Sequence, residues 1–134
     1  MSRRTRFLTG VAAVFIAAAA PLVGQVTNPV PPAAKSIAAG AQLYQKYCKA
    51  CHGEDATGDG PLAPKDVHPP NLRDAEWKYG ATDGEIFTNI SNGIGPKFDM
   101  KGMKSRMTAT DIWNVVNYLR SLGVPQPPAP SPSP

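Results

Sequence analysis

The sequence predicts an all-α domain of three main helices joined by long loops. Three observations carry that reading. Near the end of the chain Ile112, Val115, Val116, Leu119 and Leu122 recur at the i, i+3, i+4, i+7 spacing of one buried helix face. Two threonine boxes, Thr82-Asp83-Gly84-Glu85 and Thr108-Ala109-Thr110-Asp111, stand directly before apolar residues, as helix starts do. No run of alternating β-branched residues marks a strand anywhere.

The first helix is expected over residues 37–48, with Ser36 as its N-cap. Gly40 lies inside it, where glycine costs about 1 kcal/mol relative to alanine. Close approach of another helix over the missing side chain, beside Tyr44 one turn later, would compensate; a merely tolerated small residue is the plainer alternative. The middle helix follows Thr82–Glu85, carries Ile86, Phe87 and Ile90, and stops at Asn92-Gly93. The last helix ends at Gly123 and Pro125. Its valines lower intrinsic helix propensity, so burial against the first helix has to hold it. Residues 53–71 and 95–106 form the loops between.

Cys48-Lys49-Ala50-Cys51-His52 supplies the chemistry, and these are the only two cysteines in the chain. C-x-x-C-H reads as covalent attachment of a c-type haem. Cysteines three apart on a helical turn point the same way and can bond the two vinyl groups along one porphyrin edge. The next residue, His52, is then carried under the ring as proximal iron ligand. A thioredoxin-like redox pair would call for a βαβ setting that the chain lacks. A structural zinc site needs four ligands, and only Cys48, Cys51, His52 and His68 are at hand, two of them adjacent. A disulfide between cysteines so close in sequence would close a tiny loop and stabilise little.

The ends read as export and spacer segments. Residues 1–24 have a secretory layout: Arg3, Arg4 and Arg6, an apolar run from Phe7 to Ala20, then small residues. That run reaches about 17 residues if extended to Val23, the lower edge of a membrane span, so a retained anchor is the alternative to cleavage. Arg3-Arg4 is not read as a twin-arginine signal, because that route carries folded proteins whereas c-type haem joins an unfolded, exported chain. Residues 25–35 and 124–134, rich in proline, are expected to be extended spacers. The folded unit is then residues 36–123, too small to be secure without a staple. The net charge of +4 falls to about +1 without the three arginines, and to about −1 with two haem propionates. That balance argues against nucleic acid, which calls for a basic domain. Lys97, Lys101, Lys104 and Arg106 cluster in one loop, a solvated stretch or a docking rim for an acidic partner.

From Ser36 to Leu122 the chain resembles a class I monohaem cytochrome c of the small bacterial periplasmic type. The likeness rests on Cys48-Lys49-Ala50-Cys51-His52, on Gly40 and Tyr44 as the Gly/aromatic pair of the N-terminal helix, and on Val115, Tyr118 and Leu119 crossing them. It rests also on Gly60-Pro61 after the haem motif and on a methionine in the loop before the final helix. The resemblance implies the cytochrome c fold, three main helices and loops wrapped around one covalent haem, with His52 and a methionine as axial ligands. It implies that the Pro61 carbonyl accepts from the other ring nitrogen of His52. Met100 has the family's usual distance to the final helix and is preferred as ligand over Met103, although Met100-Lys101 departs from the commoner Met-Pro. Met107 fills an apolar slot before Thr108. Trp77, Tyr79, Phe98 and Trp113 are candidates for the pocket wall, with core packing the plainer role for Trp113. His68 is discounted as an axial ligand because its loop should lie on the His52 side.

With both axial positions filled by protein there is no open site for substrate, so the function implied is electron transfer and not catalysis. Partners would be a donor and an acceptor redox protein, docking briefly. Membrane contact is expected only if the N-terminal segment is retained. A cytochrome c subunit held in a dehydrogenase or terminal oxidase complex is the rival to a free periplasmic shuttle. An enzyme is disfavoured, because no acid–base pair is evident for the far side of the haem.

Overall fold

The computed structural model describes residues 26–66, 68–74, 77–96 and 99–124. The expected export segment, Lys97, Phe98 and the tail from residue 125 lie outside them. Four helices run in chain order: α1 (Ala34–Tyr47), α2 (Lys49–His52), α3 (Asp83–Asn92) and α4 (Ala109–Ser121). Two short strands, β1 (Gly93–Ile94) and β2 (Met100–Lys101), pair antiparallel, with Ile94 opposite Met100. The expectation of no strand is therefore corrected. Two-residue strands are too short to leave an alternating pattern in the sequence.

Both capping boxes form. Thr82 accepts from the Glu85 amide while Glu85 reaches back to the Thr82 amide, and Thr108 and Asp111 do the same for α4. The hydrogen bonds from Thr82 hold the Glu85 carboxyl below its usual range. The first helix needs a correction. It starts at Ala34 with Ala33 as N-cap and no side-chain cap. Ser36 sits inside the helix, buried, and its hydroxyl donates to Asn114 Oδ1 at 2.8 Å. Facing α4, it satisfies groups that water cannot reach.

The core is where α1 and α4 cross. Tyr44, Ile112, Val115 and Val116 are almost fully buried, and the Tyr44 and Tyr118 rings meet at 5.3 Å and 53°. Gly40 lies at the closest approach: a Cβ built there would stand 2.0 Å from the Asn114 carbonyl oxygen and 2.8 Å from Tyr118 Cβ. The bare backbone is what lets the helices touch. Packed on this crossing, Met107 fills its apolar slot, and Phe87 of α3 stacks on Trp113 at 4.3 Å and 21°. Arg120 ties the end of α4 to the start of α3, with its Nε 2.8 Å from Asp83 Oδ1 and an NH2 bond to the Ala81 carbonyl. That ion pair is largely shielded, and it places a carboxylate in the first turn of α3 and a cation in the last turn of α4.

The stretch before α1 is not a free spacer. Asn117, 4% exposed on α4, donates through Nδ2 to Val30 O (3.0 Å), Pro31 O (3.3 Å) and Ser36 Oγ (2.7 Å). Its Oδ1 accepts from Asn28 Nδ2 at 2.7 Å. Val30 packs against the core, and Lys35 already belongs to α1. At the other end Val124 is buried and its amide bonds to Leu119 O. Both expected spacers are thus shorter than their proline content suggested. Proline withholds a donor, but its carbonyl still accepts, and a buried amide on α4 supplies the bonds. Asn117→Ala should lower stability by about 1–3 kcal/mol, because it strands the buried Ser36 hydroxyl, two part-buried carbonyls and the Asn28 side chain together. Urea unfolding of the holoprotein checks this. An unchanged midpoint would mean that the network contributes nothing.

Candidate haem-binding site

Immediately beyond α1, Cys48 turns the chain into the single turn of α2. The amides of Cys51 and His52 both bond the Cys48 carbonyl, at 3.1 and 2.9 Å, so the C-x-x-C-H residues form one closed helical turn. Both cysteines are free thiols and half-buried. Burial, with Cys51 adding to it, pushes the Cys48 thiol up to about 12. That is the opposite direction from the lowered value of a reactive thiolate. Burial also lowers the pKa of His52, so its imidazole is neutral near pH 7 and keeps a lone pair to give. Among the described residues, Nδ1 of His52 is a buried polar atom with no hydrogen-bond partner. An unpaired polar atom in such a place is costly unless a ligand or metal meets the ring.

A neighbouring loop seats on this turn through its backbone. Gly60 N bonds Cys51 O at 3.1 Å and Leu62 N bonds Ala50 O at 2.7 Å. A Cβ on Gly60 would fall 2.5 Å from the Ala50 carbonyl, which is why glycine precedes the proline. The expected hydrogen bond from His52 to the Pro61 carbonyl is not formed, since Nδ1 has no partner and Pro61 is exposed. The contacts that hold the loop are those of its flanking residues, Gly60 and Leu62.

The methionine loop is fastened to the end of α3. Met103 N bonds Ile90 O at 2.8 Å and Lys104 N bonds Ser91 O at 3.2 Å, satisfying carbonyls that the helix leaves open. Gly102 passes so close to Ser91 and Asn92 that a Cβ would meet their backbone at 2.6–2.7 Å. Met100 and Met103 are both half-buried, and with Cys48 and Trp77 they border the same core. Cys48, Cys51 and His52 thus stand on one turn, and Cys48 and both candidate methionines edge one apolar cluster. Trp113 is core, stacked on Phe87. Trp77 donates Nε1 to Asp74 O at 3.2 Å, and Tyr79 is 46% exposed. His68 is exposed.

Sequence reasoning missed the buried asparagine network. Its one legible signal was the i, i+3 pair Asn114 and Asn117, set among the buried residues of α4. It also missed that the Tyr44 hydroxyl does more than pack: it donates to Gly53 O at 2.7 Å.

A family model described as Cytochrome c matches residues 37–123. The chain is 40% identical over 89 residues to the Cbb3-type cytochrome c oxidase subunit CcoP of Cereibacter sphaeroides, which covers 64% of this chain and 27% of that protein. It is 35% identical over 86 residues to the Cbb3-type cytochrome c oxidase subunit FixP of a Bradyrhizobium species, covering 64% and 27%. The chain therefore spans about a quarter of the length of these curated relatives. Among solved structures it is similar to cytochrome CL of Methylophaga aminisulfidivorans, with 28% identity, a TM-score of 0.54, and coverage of 66% of this chain and 53% of that one. With the helix crossing at Gly40 and the closed C-x-x-C-H turn, the family match leaves one assignment: the chain belongs to the cytochrome c family, as a c-type cytochrome of class I.

Proposed function

We propose that this chain carries one haem, held by thioethers from Cys48 and Cys51 and ligated by His52 and Met100, and serves as the electron-carrying subunit of a terminal oxidase complex. The observation that carries the site is the single turn that presents two thiols and a neutral imidazole with a buried, unpaired nitrogen. When bound, the haem supplies one-electron cycling between Fe(II) and Fe(III), and methionine ligation raises its potential. The chain's own residues do the rest. α1 and α4 exclude water behind the site, the loop through Gly60 fixes the attachment turn, and the loop fastened to the end of α3 presents the methionines. Pro61 is proposed to contribute only as part of that loop.

Likeness to two cbb3-type oxidase subunits supports the complex-bound role. A free periplasmic shuttle is the second reading, supported by the exportable layout of residues 1–24. In either role the haem domain faces the periplasm, and Lys101, Lys104 and Arg106, all exposed, would meet an acidic redox partner. No helix among the described residues is long and apolar enough to cross a membrane.

Two measurements test this. Acid–acetone extraction should leave the haem on the polypeptide, and its release as free haem would sink the attachment by Cys48 and Cys51. Mild detergent extraction from the source membranes should then bring the protein out with an oxidase. Recovery alone in the soluble periplasmic fraction would transfer the assignment to the shuttle.

A further inference from the structure

The Tyr44 side chain joins two parts of the molecule that share no other described hydrogen bond: the α1–α4 crossing and the residue that follows His52. Its ring is 1% exposed and packs on Tyr118, while its hydroxyl reaches Gly53 O at 2.7 Å. A phenylalanine would fill the same space, so packing does not explain the oxygen. The groups just before that carbonyl are already bonded. His52 N bonds Cys48 O at 2.9 Å, His52 O accepts from Gly58 N at 2.8 Å, and Gly53 N bonds Lys49 O at 2.9 Å. Gly53 holds φ +80°, and a Cβ there would strike Asp59 Oδ1 at 2.0 Å. The Gly53 carbonyl is the next polar group along that stretch, and Tyr44 satisfies it.

We infer that Tyr44 is a positioning residue for the proximal histidine: its hydroxyl locks the Gly53 carbonyl and, through it, the orientation of the His52 imidazole toward the haem. The inference rests on the proposed ligation by His52. The helix crossing then does more than stabilise the fold, since the angle at which the imidazole meets the iron is set from the core. Tyr44→Phe keeps the ring and removes only the lock. A buried carbonyl without a partner destabilises the fold, so stability alone would not distinguish positioning from support.

The test therefore compares Tyr44→Phe with Ile112→Val, which thins the same core without touching Gly53. In the holoproteins, Tyr44→Phe should shift both the paramagnetic NMR signals of the His52 ring and the midpoint potential, and Ile112→Val should leave both in place. Equal shifts in the two variants, or unchanged His52 signals and potential in Tyr44→Phe, would overturn the inference. In the wild-type holoprotein the Tyr44 hydroxyl proton should appear as a slowly exchanging NMR signal, and a rapidly exchanging one would also overturn it. Failure of the proposed function itself would look different, because haem would be lost in acid–acetone from wild type and variant alike.

Discussion

Replacing Gly40 by alanine is expected to destabilise the protein, although the same change in a solvent-facing helix stabilises it by about 1 kcal/mol. The reversal of sign follows from the crossing. The added Cβ would stand 2.0 Å from the Asn114 carbonyl oxygen and 2.6 Å from its carbon, and both are backbone atoms of α4 that no rotamer change can move aside. The helices must part, and with them the packing of Tyr44 on Tyr118. Gly40→Val adds two more methyl groups and should lose about 3 kcal/mol or more, the upper end of what overpacking costs. That is a large share of the 5–15 kcal/mol that holds a typical domain together. Urea midpoints of the holoproteins decide it. A stabilised Gly40→Ala would mean that α1 and α4 do not meet at this residue.

Met100→Ala should have the largest effect on function. The wild-type oxidised protein is expected to show the weak red charge-transfer band of Fe–S(Met) ligation. The variant should lose it, bind carbon monoxide in the reduced state and fall in potential. Met103→Ala should leave all three nearly unchanged. Met103 is not free to slide into the place of Met100, because its amide is bonded to Ile90 O and its carbonyl accepts from Arg106 N and Met107 N. Loss of Met100 is thus expected to open the iron and not to exchange one thioether for the other. If Met103→Ala abolishes the band instead, the ligand is Met103. If neither variant changes the spectrum, the sixth ligand is not methionine.

Legibility in the sequence followed the range of the interactions. Features set by neighbours along the chain were readable: both threonine caps, the stop at Asn92-Gly93, and the closed turn of Cys48, Cys51 and His52. The crossing at Gly40 was readable for another reason, since a glycine within a helix is costly enough to demand an explanation. What sequence could not show depends on pairs far apart in the chain. Asn117 meets Val30 and Pro31 more than eighty positions away, and only then do prolines that look like spacer become part of the domain. Ser36 looked like a cap because serine at a helix start usually is one. Its hydroxyl turned inward because Asn114 waited there. The β1–β2 pair escaped notice because two residues a side carry no period.

The fastening of residues 26–33 along α4 bears on reach. Eight extended residues would span about 28 Å of slack, enough for a tethered domain to swing between partners. Held against Asn117 and Trp113, they contribute none of it. Val26 ends this stretch against Gly84 in the first turn of α3, where a Cβ would come within 2.9 Å of it. Any leash attached there pulls on a fixed point of the rigid body. The domain would then pivot about the start of α3, with a turning radius shorter by those eight residues.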